Sequence, residues 1–202
     1  MKSPTSKTVW YTTLAAGAAA APSVHGAIRY TDVTPDLTGN PITWDLNNNG
    51  TIDFQLQVGV ASKNDYSKAT ALGDGTGIAE LSTQPGAADK FTAGETIGAT
   101  STFTAAPNVY SEMNPGTFDW SGGSRGFLGL RIQLNGNTNY GWADVMLNKN
   151  SADSYSHTLF AYAYDDTPGQ AILAGAVPEP STAALLVAGA AGAAGLRRRR
   201  QR

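Results

Sequence analysis

The chain of 202 residues contains no cysteine. Disulfide staples, thiolate metal sites and cysteine nucleophiles are therefore excluded, and the core has to hold by burial alone. Histidine is almost missing: His25 and His157 are the only two, and they have no paired spacing of the kind a zinc site needs. Positive charge is scarce in the middle of the chain. Between residues 27 and 180 seven Lys and Arg face sixteen Asp and Glu, a net charge of −9 by count. A surface of that sign repels phosphate backbones, so nucleic acid is not an expected partner. Residues 27–176 also lack any stretch with helical periodicity, and Gly, Thr, Asn and Ser interrupt them at short intervals.

The two ends are of a different composition. Lys2 and Lys7 precede a short Ala-rich apolar stretch at residues 9–22, and Val24 and Gly26 are small enough for the −3 and −1 positions of a signal peptidase site. This pattern predicts a secretory signal peptide over residues 1–26, removed after Gly26 or Ala27. An N-terminal membrane helix fits less well, because the apolar stretch is short and no stop-transfer pattern follows. The body of about 150 residues that remains, 27–176, is long enough to bury one core.

That body reads as all-β. Residues 27–33 form a first strand before a Thr34-Pro35-Asp36 turn, and residues 41–45 and 51–60 flank a polar loop as a hairpin. Residues 61–125 are irregular, with two short strands expected within 90–104. The pattern then sharpens. Leu128, Leu130, Ile132 and Leu134 alternate with Phe127, Gly129, Arg131 and Gln133, and an Asn135-Gly136-Asn137-Thr138 turn follows. Tyr140, Trp142, Asp144 and Met146 alternate with Gly141, Ala143, Val145 and Leu147, and Phe160, Tyr162 and Tyr164 share one side of a third strand. Three neighbouring strands with short turns make an antiparallel meander. An antiparallel β-sandwich, jelly-roll-like, is the expected architecture.

One loop has the composition of a metal site. Asp45, Asn47, Asn49 and Asp53 place side-chain oxygens at positions 1, 3, 5 and 9, Thr51 offers a carbonyl at position 7, and Gly50 permits the turn. Hard cations such as Ca²⁺ take six to eight oxygens from this kind of loop. The segment resembles the Asp-rich calcium loops of EF-hand, dockerin and integrin-type hairpins. It departs from them at position 12, where Leu56 carries no oxygen. The other reading is a bare hairpin turn built by Asn48, Asn49 and Gly50.

Catalytic constellations are weak. Gly122-Gly123-Ser124-Arg125-Gly126 matches the form Gly-x-Ser-x-Gly, with Asp144 or Asp153 and then His157 downstream, but a nucleophile elbow needs a helix after the serine and here a strand follows. Asp144 and Asp165-Asp166 are the acids a glycosidase reading would pair. No enzyme is expected. Trp44, Trp120, Trp142, Tyr140, Tyr162 and Tyr164 are the residues a carbohydrate-binding module would use for stacking, although on strand faces aromatics usually fill the core.

The C-terminus has three parts. Val177, Pro178, Glu179 and Pro180 come first, then sixteen uncharged residues (181–196), then Arg197, Arg198, Arg199 and Arg200, with Arg202 beyond. As a helix the uncharged run spans about 24 Å. That is short of the roughly 20 residues a bilayer asks for, a mismatch that thinning and snorkelling arginines absorb. The arginines belong on the cytoplasmic side, and the prolines keep the segment before the membrane extended. A soluble helix would show a polar face, which residues 183–196 lack.

This tail resembles the PEP-CTERM sorting signal of bacterial exported proteins; a plain C-terminal anchor is the other reading. The segment 127–147, with Gly129-Leu130-Arg131-Ile132 and Asn139-Tyr140-Gly141-Trp142-Ala143, also resembles the body of many proteins of that group. The resemblance implies processing near Pro178-Glu179-Pro180 by an exosortase, a membrane cysteine transpeptidase. It implies a transient inner-membrane anchor with the body in the periplasm, followed by a place at the cell surface or outside the cell. It further implies a structural or adhesive role among exopolysaccharide or biofilm components. The rival classes are a carbohydrate-binding module and a hydrolase.

Overall fold

A computed structural model describes residues 27–61, 64–104, 110–112, 120, 123–151 and 154–178. The expected signal peptide (1–26), Glu179, Pro180, the apolar run (181–196) and Arg197, Arg198, Arg199 and Arg200 lie outside them. The described chain is all-β, with no helix, and every strand pairing is antiparallel.

The centre is the meander of β10 (Arg125–Leu134), β11 (Asn137–Ser151) and β12 (Ser154–Asp165). The β10–β11 connection is the two-residue turn Asn135-Gly136, with φ of 51° and 78° at its two positions. Left-handed backbone at both central residues gives the twist that matches paired strands, which is why an Asn-Gly pair sits there. On its far side β12 pairs with β1 (Ile28–Gly39). β10 receives β5 (Gly77–Glu80) and β6 (Lys90–Phe91) along its other edge, and β5 continues to β8 (Thr102–Phe103). A second sheet holds β2 (Ile42–Trp44), β3 (Phe54–Ala61), β4 (Asn64–Ala71) and β9 (Tyr110–Glu112) in that order. β7 (Thr96–Ile97) and β13 (Ile172–Leu173) form a small separate ribbon.

The period-two pattern explains the packing. Leu128, Leu130 and Ile132 of β10, with Ala143, Val145 and Leu147 of β11, turn one way and meet Ile42, Trp44, Phe54, Leu56 and Ala69 of the second sheet in one buried cluster. The opposite face carries Tyr140, Trp142, Ala161 and Ala163, and a second cluster there includes Phe91, Ile97, Ile172 and Ala174. The large sheet is thus apolar on both sides. Gly141 is required by this geometry, since a Cβ there would collide with the carbonyl oxygen of Ala163 on β12.

Three sequence expectations are corrected. The Thr34-Pro35-Asp36 turn is an irregularity inside one long edge strand: the β1–β12 register shifts between Asp32 and Leu37. Phe160 does not continue the row of Tyr162 and Tyr164. The register skips it, pairing Asp144 with Ala161 and Val145 with Leu159, so a β-bulge breaks the alternation. The Phe160 ring instead lies under the Arg125 guanidinium at 3.6 Å. Finally, residues 61–90 hold β4 and β5 where no strand was expected. Their Ser, Thr, Lys and Ala residues give no clear alternation, and they become strands through pairing with β3 and β10.

Candidate functional site

The loop between β2 and β3 gathers the predicted oxygens in one place but turns most of them inward. Asp45 Oδ2 accepts the Gly50 amide at 2.6 Å, Asn47 Oδ1 the Asn49 amide at 3.0 Å, and Asn49 Oδ1 the Thr51 amide at 2.8 Å. Each is a side chain bonding to backbone two to five residues on, the chemistry that makes Asx-type turns without help from a ligand. Asp53 is buried and accepts the Leu46 amide at 2.8 Å. Burial raises its pKa above the ordinary carboxylate value; the Leu46 amide opposes that and the nearby Asp45 charge adds to it. Asp45 Oδ1 is buried without a hydrogen-bond partner. Leu56 is wholly buried in the core and adds no ligand. Among the described residues no group of three or more His, Asp or Glu side chains is set to hold a metal.

The histidine and the described acids of the hydrolase and glycosidase readings are engaged with other partners. His157 lies fully buried between the sheets, with Nε2 2.6 Å from Ser67 Oγ of β4. Burial lowers its pKa to about 4, so the ring is neutral at physiological pH. Asp144 takes a two-pronged ion pair from Arg125, with both contacts at 2.8 Å. Asp165 is buried, and its side chain accepts the Thr167 amide at 2.8 Å, while Asp166 pairs with Arg29 at 2.8 Å. Asp153 lies outside the described residues. Trp44, Trp120, Trp142 and Tyr140 are all buried, so these four rings belong to the core and offer no stacking platform. Tyr162 and Tyr164 are half-buried against the first core cluster.

Two arrangements carried no signal in the sequence. Asn47 and Asn49 line an open cleft together with Asn135, Asn137 and Asn139 of the β10–β11 hairpin. The other arrangement lies where the body meets its tail. Ile172 pairs with Ile97 and Leu173 with Thr96; the Gly94 amide donates to Ala174 O at 2.9 Å, and the Ala174 amide to Glu95 O at 2.8 Å. Trp142 Nε1 donates to the Ala176 carbonyl at 3.2 Å. Gly175 has φ +78°, and a Cβ there would come within 2.9 Å of the Phe127 ring, so backbone and space both demand glycine. Val177 and Pro178, directly beyond this clasp, are exposed. The body therefore ends within two residues of the first proline.

No curated protein and no solved structure matched the chain. Residues 176–200 match a family model described as the PEP-CTERM protein-sorting motif, beginning at the residue Trp142 holds. The match agrees with the order proline pair, apolar run, arginines read from the tail. The chain thus carries a PEP-CTERM sorting motif, which implies an exported, transiently membrane-anchored substrate of an exosortase.

Proposed function

We propose that this chain is a non-enzymatic protein of the cell envelope or extracellular matrix, structural or adhesive in role, released from its anchor at Pro178-Glu179-Pro180. The observation that carries the reading is the position of the motif. The clasp of Ile172, Ala174 and Ala176 holds the chain to the body, and an exposed Pro178 follows at once. A processing enzyme at the membrane surface meets an exposed Val177 and Pro178 at the end of a folded body. The two sheets with a shared core are read as an antiparallel β-sandwich. Because β10, β11 and β12 stay in one sheet, a meander-built sandwich is favoured over jelly-roll connectivity. The net charge of −9 between residues 27 and 180 suits solubility in a hydrated matrix. A hydrolase is disfavoured because His157 is buried against Ser67 and Asp144 is paired with Arg125.

The test is expression in a host with and without its exosortase. We expect the body in the medium or at the surface only when the enzyme is present, with a mass ending near residue 178. Replacing Arg197, Arg198, Arg199 and Arg200 by neutral residues should abolish retention and processing; unchanged processing would count against the sorting reading. Mass spectrometry of the exported form also tests the signal peptide, since retention of Met1 or Lys2 removes that part. Exopolysaccharide is the proposed partner in the matrix, and signal peptidase and exosortase are the processing partners.

Calcium remains the second reading of residues 45–53, favoured by the unpartnered Asp45 Oδ1 beside Asp53. With two carboxylates the affinity belongs in the weak extracellular range of about 10⁻⁴–10⁻³ M. Calorimetry at millimolar Ca²⁺ with no heat and no change in melting temperature would leave the loop as a self-bonded turn.

A further inference from the structure

Three strand ends distant in sequence meet at one end of the two-layer fold. The β2–β3 loop contributes Asn47 and Asn49, the β10–β11 hairpin contributes Asn137 and Asn139, and the paired ends of β1 and β12 contribute Arg29 and Tyr164. The open cleft between them has a volume of about 620 Å³, within the range of small-molecule sites.

At the cleft wall is an unmet polar atom. Asn139 is 1 % exposed and its Nδ2 donates to the Asp165 carbonyl at 2.9 Å. That bond sets the amide orientation, because only the nitrogen can donate to a carbonyl. Oδ1 is thereby turned away from Asp165, buried and without a partner. Buried acceptors in folded proteins are nearly always satisfied, and a bare one directly behind a cleft wall is a position that a donor in the cleft would reach after a small shift of the wall.

The rim restricts what that donor belongs to. Asn47 and Asn49 spend their oxygens on backbone amides, which leaves their Nδ2 groups as donors. Asn137 spends Nδ2 on the Asn135 carbonyl at 3.3 Å, which leaves its oxygen as an acceptor. Burial pushes the Tyr164 phenol above its ordinary pKa, so it stays a neutral hydroxyl. Among the described residues of the lining Arg29 is the one cation and Asp166 the one carboxylate, and they neutralise each other at 2.8 Å. An anionic ligand would meet no unpaired cation, and a divalent cation no unpaired carboxylate. An apolar ligand would strand the amides. A neutral molecule with several hydroxyls, each donor and acceptor at once, fits what remains.

We propose that this cleft binds a neutral saccharide unit, one hydroxyl donating to Asn139 Oδ1 and its neighbours bonded by the rim amides. The site is built from body residues alone, so it stands or falls independently of how the protein is delivered.

The full chain, purified in a detergent without sugar head groups, is titrated calorimetrically with maltotetraose, cellotetraose and mannotetraose. Glucose 6-phosphate and CaCl₂ serve as charged comparisons. We expect at least one neutral tetrasaccharide to bind with a Kd below about 1 mM. Asn137→Ala, at an exposed rim position, should weaken it about tenfold with an unchanged melting temperature. Asn139→Leu should remove it, and because that variant also loses the Asp165 bond, the Asn137→Ala result decides if it fails to fold. No heat from any neutral sugar at about 10 mM overturns the proposal. So does binding that Asn137→Ala leaves intact, or tighter binding of glucose 6-phosphate in competition for the same site.

Discussion

The two faces of the large sheet are covered by different means. The inner face sets Leu128, Leu130, Ile132, Val145 and Leu147 against a second sheet, so both sides of that core are tied by ladders of backbone hydrogen bonds. The outer face sets Tyr140, Trp142, Ala161 and Ala163 under strands of two residues and the turns between them. A cover of that kind has few hydrogen bonds of its own and opens more readily than the sheet beneath it. The chain leaves the body from this outer cover. The more weakly tied face of the molecule therefore holds the first residue of the sorting motif, Ala176.

The comparison breaks most visibly on a pair of truncations. Leu130→Ala removes a fully buried side chain from the inner core and should cost about 2–5 kcal/mol in the denaturant midpoint. Ile172→Ala removes comparable volume from the outer cover. Its main effect should be faster amide exchange at Ala174 and Ala176, with a smaller loss of global stability. Equal global losses from the two would mean the faces unfold as one unit.

Next in size is His157, which joins the two sheets through Ser67. Its folded pKa lies below the unfolded value, at about 4, because burial disfavours the charged ring. The stability it secures is fully present above the ordinary histidine pKa of about 6.5. It drains away as pH falls toward 4, where the unfolded chain takes up the proton first. The loss across that window should be about 3 kcal/mol, read from denaturant midpoints at successive pH values. His157→Gln can still bond Ser67 and should flatten that slope; an unchanged slope would assign the effect to the carboxylates.

Smaller again is Trp142→Phe, which keeps an aromatic ring at the outer core but deletes the donor to Ala176 O. About 1 kcal/mol is expected, together with faster protease cleavage near residue 177. Loss of stability without faster cleavage would show that the clasp does not govern the motif. The smallest effect is reserved for Arg29→Ala, whose side chain is 62 % exposed in its pair with Asp166. Thermal melts should shift by the equivalent of about 0.5 kcal/mol or less.

How far these features could be read in advance varies with how local they are. The β10–β11 hairpin was legible in its faces and its place, because alternation assigns the faces and Asn135-Gly136-Asn137-Thr138 signals the turn, although Asn137 and Thr138 already pair within β11. The Phe160 bulge was not, since it comes from fitting β12 against both β1 and β11 at once. Strand β4 was invisible for a similar reason: Asn64–Ala71 gains its ladder from β3 rather than from its own side chains. The loop 45–53 was legible as a cluster of oxygens, whereas their commitment to backbone amides is a property of the folded turn. The cleft around Asn139 was illegible, because its walls come from residues more than a hundred positions apart.

The order of residues alone determined the sorting tail, the all-β class, the alternating faces of the meander and the absence of thiol chemistry. Each depends on spacing or composition within a few neighbouring residues. Tertiary structure alone decided that the aromatic rings are core, that His157 bonds Ser67, that Trp142 grips the start of the motif, and that Asn139 keeps an unmet oxygen at a cleft wall. Those outcomes depend on which distant segment lies alongside, and pairings such as Ser67 with His157, 90 residues apart, leave no local trace in either partner.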